Sequence, residues 1–266
     1  MLIDMHAHTG GISKCCRVPA EEVIKSLVEA GIDGIILTNH YCRSYAEARE
    51  KAILAEISAD GVEACADKAS AVAPNAGAVR LAAEYIEEFR RTREIGQAFG
   101  IKVFFGIEVS LAQHGDTHVL VYGVGEDFLL SNPEIYNYPL DVLRSKVHGA
   151  GGYIVHAHPL RVTKNGKNNL LDLDMFDGIE LNCHLVGNGP LTDEILALAD
   201  KHRLFLTCGG DYHADTARTK CGVYLPDEVG STAEIIGYID GAREVEYLLE
   251  LTEGVREAVR LRGGRS

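Results

Sequence analysis

The sequence predicts an α/β fold in which helices cover a parallel β-sheet. Short apolar runs alternate with stretches of helical periodicity along the 266 residues, an order that is typical of strands joined by helices. The runs are apolar at nearly every position, as in strands that are buried on both faces. About seven strand–helix units are present, and they fit a closed barrel better than an open sheet. In such a barrel the functional residues lie at the carboxyl ends of the strands.

The elements follow one another in a regular order. A first helix opens at Pro19, which two glutamates follow in the first turn, and stops at Gly31. Later helices are predicted over 141–149, over 190–202 and, as a final amphipathic helix, over about 242–261. The predicted strands are 2–8, 33–39, 102–109, 117–123, 153–158, 177–183 and 204–210.

The long stretch between the second and third strands is interpreted as a helical insertion, about 46–99. It is rich in alanine and glutamate, and we expect two or three helices in it. The last of them is predicted over about 76–98, with Tyr85 and Phe89 on one stripe. A barrel with an insertion is preferred to two separate domains, so residues 1–266 are predicted to form one domain.

Composition and charge argue against several classes of protein. A membrane protein is not expected, because no apolar stretch approaches the ~20 residues that span a bilayer. The first strand begins at Leu2, which leaves no room for a signal peptide, and a cytoplasmic location is expected. All seven cysteines are interpreted as reduced thiols. The net charge of −13 opposes binding to duplex nucleic acid or to anionic membranes.

Three predicted strands end in a pair of metal-binding residues separated by one spacer. Residues i and i+2 of a strand point to the same face, so each pair directs two ligating groups to one place. Imidazoles and carboxylates together suit Zn²⁺, Mn²⁺ or Fe²⁺, whereas Ca²⁺ and Mg²⁺ prefer all-oxygen sites. The pairs are His6 and His8, His156 and His158, and Asp211 and His213. Single candidates at other strand ends or starts are His40, Glu108 and His118.

A series of motifs follows in order from residue 4 to about residue 222. They are Asp-x-His-x-His, Thr-Asn-His, Gly-Ile-Glu-Val-Ser, His-Val-Leu-Val-Tyr-Gly, His-Pro-Leu-Arg, Gly-Ile-Glu-Leu-Asn and Gly-Asp-Tyr-His. Taken together, these motifs resemble the PHP (polymerase and histidinol phosphatase) family. The resemblance implies a distorted seven-stranded (β/α)7 barrel of the TIM type. It also implies a site for two or three divalent metal ions at the C-terminal face, where phosphate esters are hydrolysed.

The resemblance further implies a role for each ligand. A water that bridges two metals, with its pKa lowered by them, is the implied nucleophile. Asp211 and His213 are therefore counted with the catalytic residues. The implied ligand sets are His6, His8, Glu108 and Asp211 for one metal, Glu108 (as a bridge), His118 and His158 for a second, and His40 and His213 for a third.

One corner of the implied site departs from the family pattern. Family members commonly carry an aspartate or histidine a few residues after the second histidine, but residues 10–16 contain neither. Either Cys15 or Cys16 could supply a thiolate instead, or the third metal is weakly held or missing. We favour a weaker third site without a cysteine ligand. His156 is equally a candidate ligand and a candidate hydrogen-bond partner of a ligand.

Residues that bind the substrate are less clearly marked. Arg161 follows the His-Pro motif and is a candidate clamp for a phosphate group, with a solvated loop arginine as the alternative. His184 is a candidate to protonate a leaving group, although a structural role is favoured. Glu180 and Asn182 are interpreted as polar packing inside the barrel.

The favoured function is hydrolysis of a small phosphate monoester, such as histidinol phosphate or a nucleotide phosphate, by a metal-dependent phosphatase. Amidohydrolases and metal-dependent DNases also start with a His-x-His motif and are the alternative enzymes. The former often use a bridging lysine where Glu108 stands here, and the acidic charge disfavours the latter. A non-catalytic or regulatory metal-binding module is the third alternative. Loops select the substrate, so the sequence leaves its identity and the oligomeric state open.

Overall fold

The computed structural model shows an α/β protein with a curled sheet, which confirms the predicted α/β class, whereas the closed seven-stranded barrel stays a prediction. It describes residues 1–59, 73, 75–115, 117–162, 169–182, 189–213, 221–252 and 255–264. Within these residues the strands are β1 (Leu2–Ala7), β2 (Gly34–Leu37), β3 (His40–Tyr41), β4 (Lys102–Ser110), β5 (His118–Tyr122), β6 (Tyr153–His156), β7 (Gly178–Asn182), β8 (Phe205–Gly209), β9 (Gly222–Tyr224), β10 (Glu244–Thr252) and β11 (Val255–Arg262). The α-helices are α1 (Ala20–Glu29), α2 (Arg43–Ala59), α3 (Ala76–Phe99), α4 (Glu126–Ser131), α5 (Leu140–Gly149), α6 (Gly189–His202) and α7 (Thr232–Gly241).

All the strands that the sequence predicts are present, as β1, β2, β4, β5, β6, β7 and β8. The sheet runs in the order β11-β10-β9-β1-β2-β4-β5-β6-β7-β8, and β3 pairs with β4 outside this path. The short β3 and the three strands β9, β10 and β11 were not predicted. The apolar runs therefore locate the central strands, whereas the additional strands are too short or too polar to stand out as buried strands.

The prediction that the sheet is parallel holds for two blocks of strands and is wrong for the rest. β1, β2 and β4 pair in parallel, and so do β6, β7 and β8. β5 is antiparallel to both of its neighbours, β4 and β6. The reason is the connection: residues 111–117 are too few for the crossover that a parallel pair requires, whereas an antiparallel pair needs only a turn. The first residue of β5, His118, therefore lies beside the last residue of β4, Ser110.

The curl of the sheet brings β8 back beside β1. A parallel bridge joins Ala7 to Tyr212 just beyond the last residue of β8. Gly209 makes this approach possible, because a Cβ atom at its position would lie 2.4 Å from the backbone nitrogen of His6. The first and last strands of the predicted set are thus neighbours at the point where their metal-binding pairs stand.

The C-terminal segment is a β-hairpin, and the prediction of a final helix over 242–261 is wrong. β10 and β11 pair in antiparallel orientation, and β10 also pairs with β9. Val245, Tyr247 and Leu249 are buried and alternate with more exposed residues. This period of two suits a strand with one covered face, and not a helix. The free edge of β9 offers backbone partners that the sequence pattern of this segment does not reveal.

Helix α3 braces the strands that carry the candidate site. It spans Ala76–Phe99, close to the predicted range of about 76–98, and it buries Tyr85 and Phe89 as expected. The Tyr85 hydroxyl lies 3.0 Å from the carbonyl oxygen of Asn39 and 2.8 Å from that of Gly106. One helix thereby holds the end of β2 against the middle of β4. The single domain with an insertion at 46–99 stays a prediction. Among the described residues, no helix combines the length and apolar character needed to cross a membrane.

Candidate metal centre

The predicted ligands meet at one end of the strands of the curled sheet. In the parallel blocks, this is the carboxyl end of the strands. His118 is at the start of β5, but β5 is antiparallel, so its start lies at the same end of the sheet, opposite Ser110 at the end of β4. His40 lies opposite Glu108, because β3 pairs with β4 in parallel. Side chains that are distant in sequence are therefore neighbours here.

Glu108 lies at the centre of the cluster, and its side chain is fully buried. Oε1 of its carboxylate faces three of the surrounding imidazoles and Oε2 faces two others, so Glu108 contacts histidines of more than one implied ligand set. The distances are 3.3 Å to His6 Nε2, 3.5 Å to His8 Nε2, 2.5 Å to His40 Nδ1, 2.7 Å to His118 Nδ1 and 3.1 Å to His158 Nε2.

Four buried side chains form the first ligand set: His6, His8, Glu108 and Asp211. Oδ1 of Asp211 lies 3.1 Å from Nε2 of His8 and 3.4 Å from Nε2 of His6. One donor atom from each residue lies within 4.8 Å of the other three. These are the four residues that the family resemblance assigns to one metal.

Glu108, His118 and His158 form a second set. Nδ1 of His118 and Nε2 of His158 lie 2.7 Å and 3.1 Å from Oε1 of Glu108, and these two nitrogens are 3.2 Å apart. His40 adjoins this set, since donor atoms of His40, Glu108 and His118 lie within 4.8 Å of one another. The structure thus brings the second implied set together and places His40 beside it.

A third corner is formed by His40 and His213, whose Nε2 atoms are 3.2 Å apart. Cys15 places its Sγ 3.0 Å from Nε2 of His213. Burial acts to raise the pKa of the Cys15 thiol, but hydrogen bonds with His213 and His40 lower it to about 6. Cys16 is buried and directs its Sγ toward backbone carbonyl oxygens instead. Cys15, and not Cys16, is therefore the cysteine at this corner.

Buried atoms without partners mark a place for cations inside the cluster. Among the described residues, Nε2 of His6, Nδ1 of His40 and Oε2 of Glu108 are buried and make no hydrogen bond. His40 Nδ1 and Glu108 Oε2 are 2.5 Å apart, but they are not aligned as a hydrogen bond. Buried polar atoms rarely lack a partner, and imidazole and carboxylate atoms that converge in this way suit a divalent metal. The residues present therefore fit metal ions.

The two carboxylates of the cluster are held in the charged form. Burial acts to raise the pKa of Glu108, but His118, His40 and His6 outweigh this effect and hold the pKa well below its usual range. The pKa of Asp211 is also well below its usual range, because the nearby histidines, chiefly His6, outweigh the effect of burial. Both carboxylates are therefore anionic ligands at neutral pH, as metal binding requires.

Glu180 orients two of the implied ligands. Its Oε1 lies 2.8 Å from Nδ1 of His6, and its Oε2 accepts a hydrogen bond of 2.7 Å from the backbone N–H of His158. A carboxylate on the outer nitrogen of a ligating imidazole fixes the ring and raises its basicity. Sequence reasoning assigned Glu180 only to packing. Its inward-facing position on β7, next to the strand that leads to His158, is the signal that could have indicated this role.

Replacing Glu180 with Gln is expected to weaken metal binding by about 10- to 100-fold. Glutamine keeps the shape and can still accept the His158 N–H, but it removes the negative charge beside His6. Calorimetric titration of the metal-free protein with Zn²⁺ or Mn²⁺ measures the affinity. Glu250→Gln, at another buried glutamate, is the matched control and should bind metal as the parent does. Equal affinities for the Glu180→Gln variant and the parent would contradict an orienting role.

The backbone around the ligands is also held by specific contacts. The Ser13 hydroxyl lies 3.2 Å from Nδ1 of His8 and donates to Oδ1 of Asn39 at 2.9 Å. His158 and Asp211 have positive φ angles of 28° and 49°. Such positions cost about 1–3 kcal/mol each for residues other than glycine and are typical of functional sites. Sequence reasoning did not find these supporting residues, because their partners are far away along the chain.

Both ring nitrogens of His156 are engaged by the backbone. Nδ1 lies 3.0 Å from the carbonyl oxygen of Ala157, and Nε2 accepts the N–H of Leu171 at 3.1 Å. Burial lowers the pKa of His156 to about 4, so the ring is neutral. The structure therefore does not bring His156 into the ligand sets. Arg161 is exposed, and its role as a phosphate clamp stays a prediction. His184 lies outside the described residues.

Comparison with known proteins identifies the fold. No protein-family model matches the sequence, and no curated protein does. A two-domain protein from Bacteroides vulgatus that contains a predicted PHP-like metal-dependent phosphoesterase aligns at 14% identity and a TM-score of 0.53, over 99% of this chain and 65% of that one. PsfC from Pseudomonas syringae aligns at 20% identity and a TM-score of 0.53, over 98% and 91% of the two chains.

This chain shares its fold with these two proteins. The resemblance that the motifs indicate is thus confirmed at the level of the fold, and at these identities the structural similarity extends no further. An amidohydrolase from Chromobacterium violaceum also aligns, at 15% identity over 80% of this chain and 88% of that one, but its TM-score of 0.44 is too low to support a functional argument.

Proposed function

We propose that this protein hydrolyses a small phosphate monoester with the help of two or three divalent metal ions. The observation that carries the proposal is the environment of Glu108, whose two carboxylate oxygens face different groups of imidazoles within 3.5 Å. One bridging carboxylate between two imidazole-rich ligand sets suits a pair of metals that act on one phosphate group.

We assign an architecture to the sheet and a set of ligands to each metal. We interpret the curled sheet as a distorted seven-stranded barrel in which β9, β10 and β11 extend the sheet beyond β1. The metals are Zn²⁺, Mn²⁺ or Fe²⁺, since the ligands combine nitrogen and oxygen donors. The assigned ligands are His6, His8, Glu108 and Asp211 for the first metal, Glu108, His118 and His158 for the second, and His40 and His213 for the third.

The chain's own residues prepare the site for hydrolysis. When bound, the metals lower the pKa of a coordinated water and take up charge on the phosphoryl oxygens. Glu180 and Ser13 hold the rings of His6 and His8 in place through their outer nitrogens. Arg161 comes three residues after His158 in the chain, and we propose that its guanidinium group binds oxygen atoms of the phosphate. The contacts of Glu180 and Ser13 fix the orientation of the two imidazole rings before the substrate binds, which lowers the free-energy cost of orienting the reacting groups.

The charge distribution favours a small substrate. The net charge of −13 repels long polyanions such as duplex DNA. Bound metals would concentrate positive charge at one point of the surface. A single terminal phosphate, as in histidinol phosphate or a nucleotide phosphate, can reach that point without placing further negative charge against the protein.

A substrate screen on metal-reconstituted protein tests the proposal. We expect phosphate monoesters to be hydrolysed faster than oligonucleotides or amides. Asp211→Ala should lower kcat/KM by more than about 100-fold, because even residues that only support metal ligands cost about 10- to 100-fold. Asp127→Ala, at an exposed carboxylate, is the control and should retain full activity.

Three other outcomes would reject the proposal in distinct ways. Faster turnover of amides would indicate an amidohydrolase, and faster turnover of oligonucleotides would indicate a metal-dependent DNase. Full metal occupancy with no turnover on a broad panel of phosphate esters would indicate a non-catalytic metal-binding module.

A further inference from the structure

We propose that Cys15 is a thiolate ligand of the third metal and makes this corner of the site selective for zinc over manganese. This inference rests on the proposed function, because it concerns a ligand of the same cluster. It is carried by the position of the sulfur atom, by the loop that holds it and by the chemistry of the donor set.

The sulfur atom of Cys15 faces two imidazoles. Sγ lies 3.0 Å from Nε2 of His213, and this nitrogen lies 3.2 Å from Nε2 of His40. The other ring nitrogen of His40, Nδ1, faces Oε2 of Glu108 at 2.5 Å, so Nε2 is the atom of His40 that is directed to this corner. One thiolate and two imidazoles form a donor set that is typical of zinc.

The loop that carries Cys15 holds its direction. The backbone N–H of Lys14 donates to the hydroxyl of Tyr45 at 2.9 Å, and the N–H of Cys16 donates to the carbonyl oxygen of Ser13 at 2.9 Å. The side chain of Cys16 is buried beneath the loop. Its neighbour Cys15 is exposed and faces the cluster. The two adjacent cysteines thus have different environments, and only one sulfur reaches the imidazoles.

The donor set decides which metal this corner prefers. Residues 10–16 contain no acidic residue and no histidine, so this loop has only a thiolate to offer as a charged ligand. Thiolate ligands favour zinc, whereas carboxylate and water ligands suit manganese. A donor atom of His8 also lies within 4.8 Å of donor atoms of His40 and His213, but Nε2 of His8 lies 3.1 Å from Oδ1 of Asp211 and is assigned to the first metal. Cys15 therefore supplies the third protein ligand that an open zinc site needs. The geometry therefore favours the cysteine alternative over a weaker, cysteine-free corner.

Metal counting on four proteins tests this inference. The parent, Cys15→Ser, Cys15→Asp and Cys42→Ser are made metal-free, reconstituted with Zn²⁺ or Mn²⁺, desalted and analysed for metal per chain. We expect Cys15→Ser to lose about one zinc relative to the parent. Cys42→Ser is the matched control, because the Cys42 sulfur lies 3.3 Å from the Ser44 hydroxyl and not in the cluster. Cys15→Asp should restore the lost metal when manganese is supplied, since a carboxylate suits manganese.

Spectroscopy provides a readout that does not depend on activity. X-ray absorption at the zinc edge of the parent should show a sulfur neighbour at about 2.3 Å, and Co²⁺-substituted protein should show a thiolate-to-metal charge-transfer band. Both signals should be absent from Cys15→Ser and present in Cys42→Ser. A parent protein that binds its full complement of zinc without sulfur scattering would overturn the inference, as would equal zinc counts in the parent and Cys15→Ser.

These outcomes separate the inference from the proposed function. A parent that shows the sulfur signal but hydrolyses no phosphate ester would leave Cys15 as a ligand and reject the phosphatase. A parent that hydrolyses phosphate monoesters but shows no sulfur signal would retain the phosphatase and reject the thiolate ligand.

Discussion

Replacing Glu108 with Gln is expected to abolish both tight metal binding and phosphate ester hydrolysis. The carboxylate is fully buried and contacts the imidazole rings of both principal ligand sets. Glutamine offers one neutral oxygen where the carboxylate has two oxygens that share a negative charge, so it cannot bridge two metals. We expect kcat/KM to fall by more than about 100-fold, the upper range for residues that only support a ligand.

Metal analysis together with steady-state kinetics measures this effect. Glu257→Gln, at an exposed glutamate of β11, is the control for the chemical change and should behave as the parent does. Far-ultraviolet circular dichroism must show that the Glu108→Gln variant is folded. A folded variant that retains two metals and full activity would show that Glu108 is not a bridging ligand.

Removing the metals is expected to lower the thermal stability of the protein by a large amount. Without cations, the cluster keeps buried donor atoms that have no hydrogen-bond partner among the described residues, including His6 Nε2 and Glu108 Oε2. A ligand that binds only the folded state stabilises it by about 4 kcal/mol when its concentration is 1,000 times Kd. For a chain of this size, that free energy corresponds to a rise in Tm of about 8 °C or more.

Differential scanning calorimetry of chelator-treated and reconstituted protein tests this expectation. The Asp211→Ala variant, which lacks one ligand of the first set, should gain less from added metal than the parent. Identical Tm values for the parent with and without metal would mean that the cluster binds no cation tightly in the folded state.

The sequence alone determined the central strands and the chemical character of the site. Each central strand is a short apolar run, and burial on both faces makes such a run visible without any knowledge of its partners. The candidate ligands could be located because most of them stand directly at a strand end, where the one-residue spacing of His6 and His8 places both side chains on one face. The amphipathic stripe of α3 was equally visible, because helical periodicity is local.

The C-terminal hairpin and the selection of Cys15 over Cys16 were decided only by the tertiary structure. Each depends on a partner that is distant along the chain: the free edge of β9 for β10, and the imidazole of His213 for Cys15. The same holds for Glu180, which is an ordinary inward-facing strand residue until His6 lies beside it. Local periodicity reports which face of an element is buried, whereas pairing across the sheet decides which groups meet there.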